Sequence, residues 1–124
     1  MIDDSIMNIL GSQDRKGGFT PPSYCHFVPV PDPFRGKHSD APDPSAAYVE
    51  ELKRTLSHLE TQDRVLAGFI SEPILSCAGQ IVPPQGFLSQ AYDLVRATGG
   101  VCIADEVQVY ILIYIYSICV YERL

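Results

Sequence analysis

Basic residues are scarce in this 124-residue chain. Nine Lys and Arg stand against fifteen Asp and Glu, a formal net charge of −6, with no basic cluster to offset it. That balance argues against a nucleic-acid surface and against electrostatic docking on anionic lipid. Cysteine chemistry is equally sparse: Cys25, Cys77, Cys102 and Cys119 are widely spaced and form no Cys-x-x-Cys pair, so buried reduced thiols are expected rather than a disulfide framework. His26, His38 and His58 fall in separate segments without zinc-ligand spacing, and no metal is expected. The longest apolar run, from Tyr110 to Tyr121, falls short of the roughly twenty residues a membrane-spanning helix needs, so no membrane partner is expected. The start, Met1-Ile2-Asp3-Asp4-Ser5, places acids before any base, which suits neither a secretory signal nor an arginine-rich transit peptide. Lysine is confined to Lys16, Lys37 and Lys53.

What is present reads as one small α/β domain with ordinary apolar content, 46%. Residues 1 to 18 offer only the patch Ile6 to Leu10 before a polar stretch, and weak order is expected there. Thr20 to Pro44 holds seven of the ten prolines, which disfavours helix and central strand alike. A brief extended piece, Cys25 to Val30, could still add an edge or inner strand. Phe34-Arg35-Gly36 reads as a solvated turn with an anchoring aromatic, and Arg35 receives no catalytic role. A helix should start at Pro44, capped by Asp43, with Glu50 and Glu51 toward the positive end of its dipole. Its apolar stripe, Tyr48, Leu52, Leu56 and Leu59, should face a sheet, with Glu50, Lys53, Arg54 and Ser57 in water.

Two continuous apolar runs, Val65 to Ile70 and Val101 to Ala104, read as strands buried on both faces. Gly68 would let something pack closely against the first. Between them lie a Pro/Gly-rich loop, Glu72 to Gly86, and an amphipathic helix, Phe87 to Thr98, closed by Gly99. Strand, loop, helix, strand is a βαβ unit whose right-handed crossover makes the strands parallel. Glu72 and Asp105 would then emerge at the same sheet edge, and ligands of open parallel sheets bind beyond the carboxyl ends of strands. Taken alone, Asp105 could equally be a carboxylate leaving the core for solvent.

Asp105-Glu106-Val107-Gln108 after Gly99-Gly100-Val101-Cys102-Ile103-Ala104 resembles the cofactor segment of class-III pyridoxal-phosphate aminotransferases. Ser71-Glu72-Pro73 and Pro83-Pro84-Gln85-Gly86-Phe87-Leu88 are similar to the same family upstream, and the resemblance runs from about His26 to Val109. Within the family, His26 to Gly36, Ser76 to Pro84 and Val109 look most like the ethanolamine-phosphate phospho-lyase branch. Phe87 to Gln108 is also similar to the mitochondrial alanine-glyoxylate aminotransferase branch. The resemblance implies a piece of the large cofactor-binding domain of fold type I, a mostly parallel sheet with crossover helices, over residues 19 to 109. It implies pyridoxal 5'-phosphate as cofactor, a small primary amine as substrate, transamination or phosphate elimination as the reaction, and a homodimer or homotetramer as the parent assembly. Localisation by resemblance is mitochondrial, with cytoplasmic as the alternative.

By the same resemblance, Asp105 is the carboxylate at the cofactor's ring nitrogen, Val107 packs on the ring face, and Gln108 hydrogen-bonds the ring's phenolic oxygen. Glu72 corresponds to a glutamate near the cofactor, although a loop carboxylate holding backbone N–H groups fits it nearly as well. The family's Schiff-base lysine lies downstream of this segment, and here no lysine follows Lys53. No residue of the chain is therefore assigned as catalytic, and the chain alone is expected to be inactive. Tyr110 to Leu124 departs from the family's glycine-rich continuation and reads as non-homologous translated sequence, β-prone and aggregating. The alternative to an enzyme piece is a non-catalytic product that acts, if at all, by pairing with full-length subunits.

Overall fold

The computed structural model describes residues 22–76 and 78–107. The expected weakly ordered start and the apolar tail lie outside them. Four elements follow in order: α1 (Pro44–Thr61), β1 (Gly68–Ser71), α2 (Phe87–Ala97) and β2 (Val101–Ala104).

Helix α1 begins as its sequence dictates. Asp43 sits extended at φ −133°, and its carboxylate accepts the Ala46 N–H at 3.0 Å, while Pro44 takes the first turn where no donor is missed. Tyr48, Val49, Leu52, Leu56 and Leu59 form the buried stripe, and Glu50, Lys53, Arg54 and Ser57 are exposed. The stripe packs on α2 rather than on a sheet: Tyr48, Val49, Leu52 and Leu56 form one core with Phe87, Ala91 and Val95. Glu50 and Glu51 lie beyond the first turn, where the dipole is already weak. Asp63, left-handed at φ 55°, turns the chain after the helix, and Arg64 N–H returns to the Leu59 carbonyl at 3.0 Å.

Strands β1 and β2 are parallel, in the register Gly68↔Val101, Phe69↔Cys102, Ile70↔Ile103 and Ser71↔Ala104. The first strand thus starts later than its apolar run. Val65 is exposed and Leu66 packs into the helical core, because pairing begins only where Gly99 (φ 83°) and Gly100 release the chain into β2. A Cβ on Gly68 would meet the Val101 carbonyl oxygen at 3.0 Å, so the close packing expected at this glycine is the neighbouring strand itself. Alternation decides burial. Phe69 and Cys102 face α2, with the Phe69 ring edge-on to Tyr92 at 6.2 Å, whereas Val101 (62% exposed) and Ile103 (42%) stand on the other face. The expectation of strands covered on both faces is therefore corrected: within the described residues both helices cover one side only.

The Cys25 to Val30 piece is extended but joins no ladder. Pro29 and Pro31 lack N–H groups at alternate positions, so one edge of this segment lacks two successive donors toward its end. It is held instead by Arg64, whose guanidinium donates to the Ser23 carbonyl at 2.8 Å and reaches His26 at 3.2 Å. Burial, then Arg64 and His58, hold the His26 pKa below its ordinary value. Between this segment, α1 and β1 lies an apolar cavity of about 320 Å³, bordered by Val28, Leu56, Leu59 and Ile70 among others.

Candidate functional site

The carboxyl ends of the two strands define one edge. The ladder continues one step past the last pair, since the Asp105 N–H donates to the Ser71 carbonyl at 2.9 Å, and this places Glu72 and Asp105 side by side along the chain paths. Because α2 crosses from the end of β1 back to the start of β2, its N-terminus opens on this same edge. Gly86, left-handed at φ 82°, turns the chain into α2, and Gln90 ties the helix to α1 by donating to Ser45 Oγ at 3.2 Å. The N-terminus of α2 and the two strand carboxyl ends thus share a side, the place where ligands of open parallel sheets bind.

Asp105 is half-buried. Its Oδ1 accepts the Val107 N–H at 3.1 Å, a turn closed by the side chain, and Oδ2 has no hydrogen-bond partner among the described residues. Val107 is 83% exposed. Glu72 is buried, and one oxygen, Oε2, accepts both the Ser76 N–H at 2.9 Å and the Ser76 hydroxyl at 3.2 Å. It therefore folds back on its own loop, the plainer of the two readings its sequence allowed. That loop closes by a two-residue antiparallel bridge, Leu75 with Ile81, both buried, through left-handed Gly79 and Gln80. Glu72, Asp105 and Val107 are thus brought to one edge, while no hydrogen bond joins Glu72 to Asp105. Gln108 lies outside the described residues.

A third segment meets this framework, and its chemistry was invisible in the sequence reading. Asp32, buried at 7% exposure, accepts the N–H groups of Phe34 at 2.8 Å and Arg35 at 3.1 Å through Oδ1. Its carbonyl accepts the Tyr48 hydroxyl at 2.9 Å, and that hydroxyl in turn accepts the His38 N–H at 3.3 Å. Tyr48 closes against Gly36 so tightly that no Cβ would fit there. Beside it, one oxygen of Glu51 receives Lys37 at 2.8 Å, His38 at 2.9 Å and Arg54 at 3.3 Å. The hydrogen bonds from Lys37 and then His38 hold the Glu51 carboxyl below its ordinary value, against a smaller opposing effect of burial. The Pro-Asp-Pro turn was the one available signal, since Asp readily caps the two or three residues that follow it. Nothing in spacing alone marked Glu51 as the anchor.

Among the described residues no group of His, Cys, Asp and Glu is placed to hold a metal ion, and no helix is long and apolar enough to cross a membrane.

The sequence pattern of the class-III aminotransferases matches residues 9–109. A Drosophila melanogaster protein named alanine-glyoxylate aminotransferase 2-like is 41% identical over 100 residues, covering 77% of this chain and 20% of its own length. The Homo sapiens protein named alanine-glyoxylate aminotransferase 2, mitochondrial, is 43% identical over 103 residues, covering 68% of this chain and 20% of its own. The Caenorhabditis elegans ethanolamine-phosphate phospho-lyase homolog 1 is 33% identical over 97 residues, covering 70% and 21%. The chain spans about a fifth of the length of these relatives. Its matched region includes both strands, the crossover helix and the Glu72 and Asp105 loops, and the chain belongs to the class-III aminotransferase family, whose members are pyridoxal-phosphate-dependent.

Proposed function

We propose that residues 19 to 109 are part of the large cofactor-binding domain of an enzyme that acts on a small primary amine, and that residues 110 to 124 stand apart from it. The observation that carries this reading is the Oδ2 of Asp105, without a hydrogen-bond partner among the described residues, at the carboxyl edge of a parallel β1–α2–β2 unit. A carboxylate oxygen left open on a half-buried residue at that edge fits a protonated ring nitrogen. When bound, pyridoxal phosphate supplies an electron sink for bond breaking at the amine-bearing carbon. Asp105 would hold the proton at the ring nitrogen, and its bond to the Val107 N–H fixes the carboxylate for that task. Val107 offers an exposed apolar surface to a ring face, and Gln108 would donate to the phenolic oxygen. Glu72 stiffens the loop beside them through Ser76, with its second oxygen left for cofactor surroundings or substrate.

The names of the relatives support transamination and ethanolamine-phosphate elimination alike. Membership of the family supports a homodimer or homotetramer as the assembled form. The mitochondrial relatives favour that compartment over the cytoplasm.

A second reading, a non-catalytic product that works by association with full-length subunits, is favoured by the lysines. Lys37 is paired with Glu51 and Lys53 with Glu50, both carboxylates of α1. A reaction of this class needs an amine fixed within bonding reach of the cofactor aldehyde. Borohydride trapping of the 124-residue chain with pyridoxal phosphate, followed by peptide mapping, separates the readings. Scattered substoichiometric labelling without turnover is expected of the chain alone, and a single stoichiometric lysine adduct with turnover would overturn that expectation.

A further inference from the structure

One arginine ties the ladder-free stretch of residues 22–30 to the rest of the fold. Arg64 sits in the turn that leaves α1, fixed by its own N–H to the Leu59 carbonyl at 3.0 Å. Its Nη1 donates to the Ser23 carbonyl, 41 residues away, at 2.8 Å, and lies 3.2 Å from Nε2 of His26, 38 residues away. A guanidinium has donors only and keeps its proton in proteins, so the Nε2 that faces it is the acceptor. The neutral ring then carries its proton on Nδ1. A second proton, on Nε2, would replace that acceptor with a charged N–H aimed at a cation. The stretch held in this way forms one wall of the apolar cavity of about 320 Å³, since residues 24–31 line it opposite α1 and β1.

We propose that His26 is a proton-operated clasp: neutral, it accepts from Arg64 and holds residues 22–30 over the apolar cavity, and protonated, it gives up that bond and lets the wall loosen. His26 keeps an exposed flank, through which the proton arrives. Loss of hydration on the side turned to the fold comes first among the causes that lower its pKa below 6.5. The charged and titratable groups that face it add to this, Arg64 from the turn before β1 and then His58 from α1. A histidine whose pKa falls on folding contributes stability that is complete above 6.5 and is lost as the pH drops through the folded value. The bond from Arg64 to the Ser23 carbonyl does not titrate, so the wall loosens at its His26 end and is not shed. None of this depends on Asp105 or on a cofactor.

The test is an NMR titration of the 124-residue chain from about pH 8 to about pH 5, where imidazole charge changes, beside R64M and H26Q. Imidazole nitrogen shifts of the unaltered chain should show neutral His26 with its proton on Nδ1 and a midpoint below 6.5. That midpoint should rise in R64M, which keeps the stem of the side chain and removes its donors and charge. Methyl resonances of Val28, Leu56 and Leu59, which border the cavity, should show a step at the His26 midpoint. H26Q should lose that step, because its amide oxygen can still accept from Arg64 but does not titrate. The tautomer is read without any substitution, so it tests the clasp whether or not R64M folds. A neutral His26 protonated on Nε2, a midpoint that folded R64M leaves in place, or cavity methyls that titrate alike in the parent and in H26Q would each overturn the proposal.

Discussion

Tyr48 joins three segments through one hydroxyl, which donates to the Asp32 carbonyl and accepts from the His38 N–H. Tyr48→Phe leaves both groups without that partner in a buried setting, and a loss of about 1–3 kcal/mol is expected, read as a lower denaturant midpoint at unchanged slope. Glu51 adds a pH dependence of definite sign. Its carboxyl is held below 4.5 in the folded chain by Lys37 and His38, so its contribution is complete above that value and is lost as the pH falls through the folded pKa. Acid titration of Glu51→Gln should therefore show a shallower loss of stability below about pH 4.5 than the parent. A parallel loss in both proteins would show that the Lys37, His38 and Arg54 contacts on its oxygen do not couple to folding.

At the scale of elements, the weight rests on the α1–α2 contact. Phe87 is 2% exposed, sits edge-on to Tyr48 at 6.3 Å and starts the helix that leads from one strand to the next. Phe87→Ala should cost about 3–5 kcal/mol by emptying that position, which is enough to unfold a small domain; circular dichroism against temperature would record it. The cap of α1, the crossover helix and β2 were all legible in the chain, because Asp43-Pro44, the helical spacing of Phe87, Ala91 and Val95, and the glycine-bounded run from Val101 act locally. The start of β1 was not legible. Val65 and Leu66 have the same apolar character as Phe69 and Ile70, and only the position of Gly99 and Gly100 on the partner decides which of them pair. Asp32 and Glu51 were hidden for a related reason: Tyr48, which bonds the Asp32 carbonyl, lies 16 residues away, and Lys37 and His38, which bond Glu51, lie 14 and 13 residues away.

Across the whole molecule, the described residues leave one sheet face open, with Val101 and Ile103 exposed. Neither charge nor proline guards β2, so this face is apolar surface of the kind that drives association. Dynamic light scattering of the 124-residue chain should show self-association that Ile103→Lys reduces, and equal association in both would remove the sheet face as its cause. The site itself was half legible. Glu72 and Asp105 reach one edge because a parallel crossover leaves no other arrangement, yet each carboxylate is spent partly on its own loop, a detail set by the Ser76 and Val107 amides.

The assignment of Asp105 to a ring nitrogen is tested most directly by amide chemical-shift mapping of the chain titrated with pyridoxal phosphate, beside Asp105→Ala. Saturable shifts confined to residues 72 to 76 and 105 to 108, lost in Asp105→Ala while the folded spectrum persists, are the expected result. Shifts that spread over the lysine-bearing surface of α1 and are the same in both proteins would contradict it.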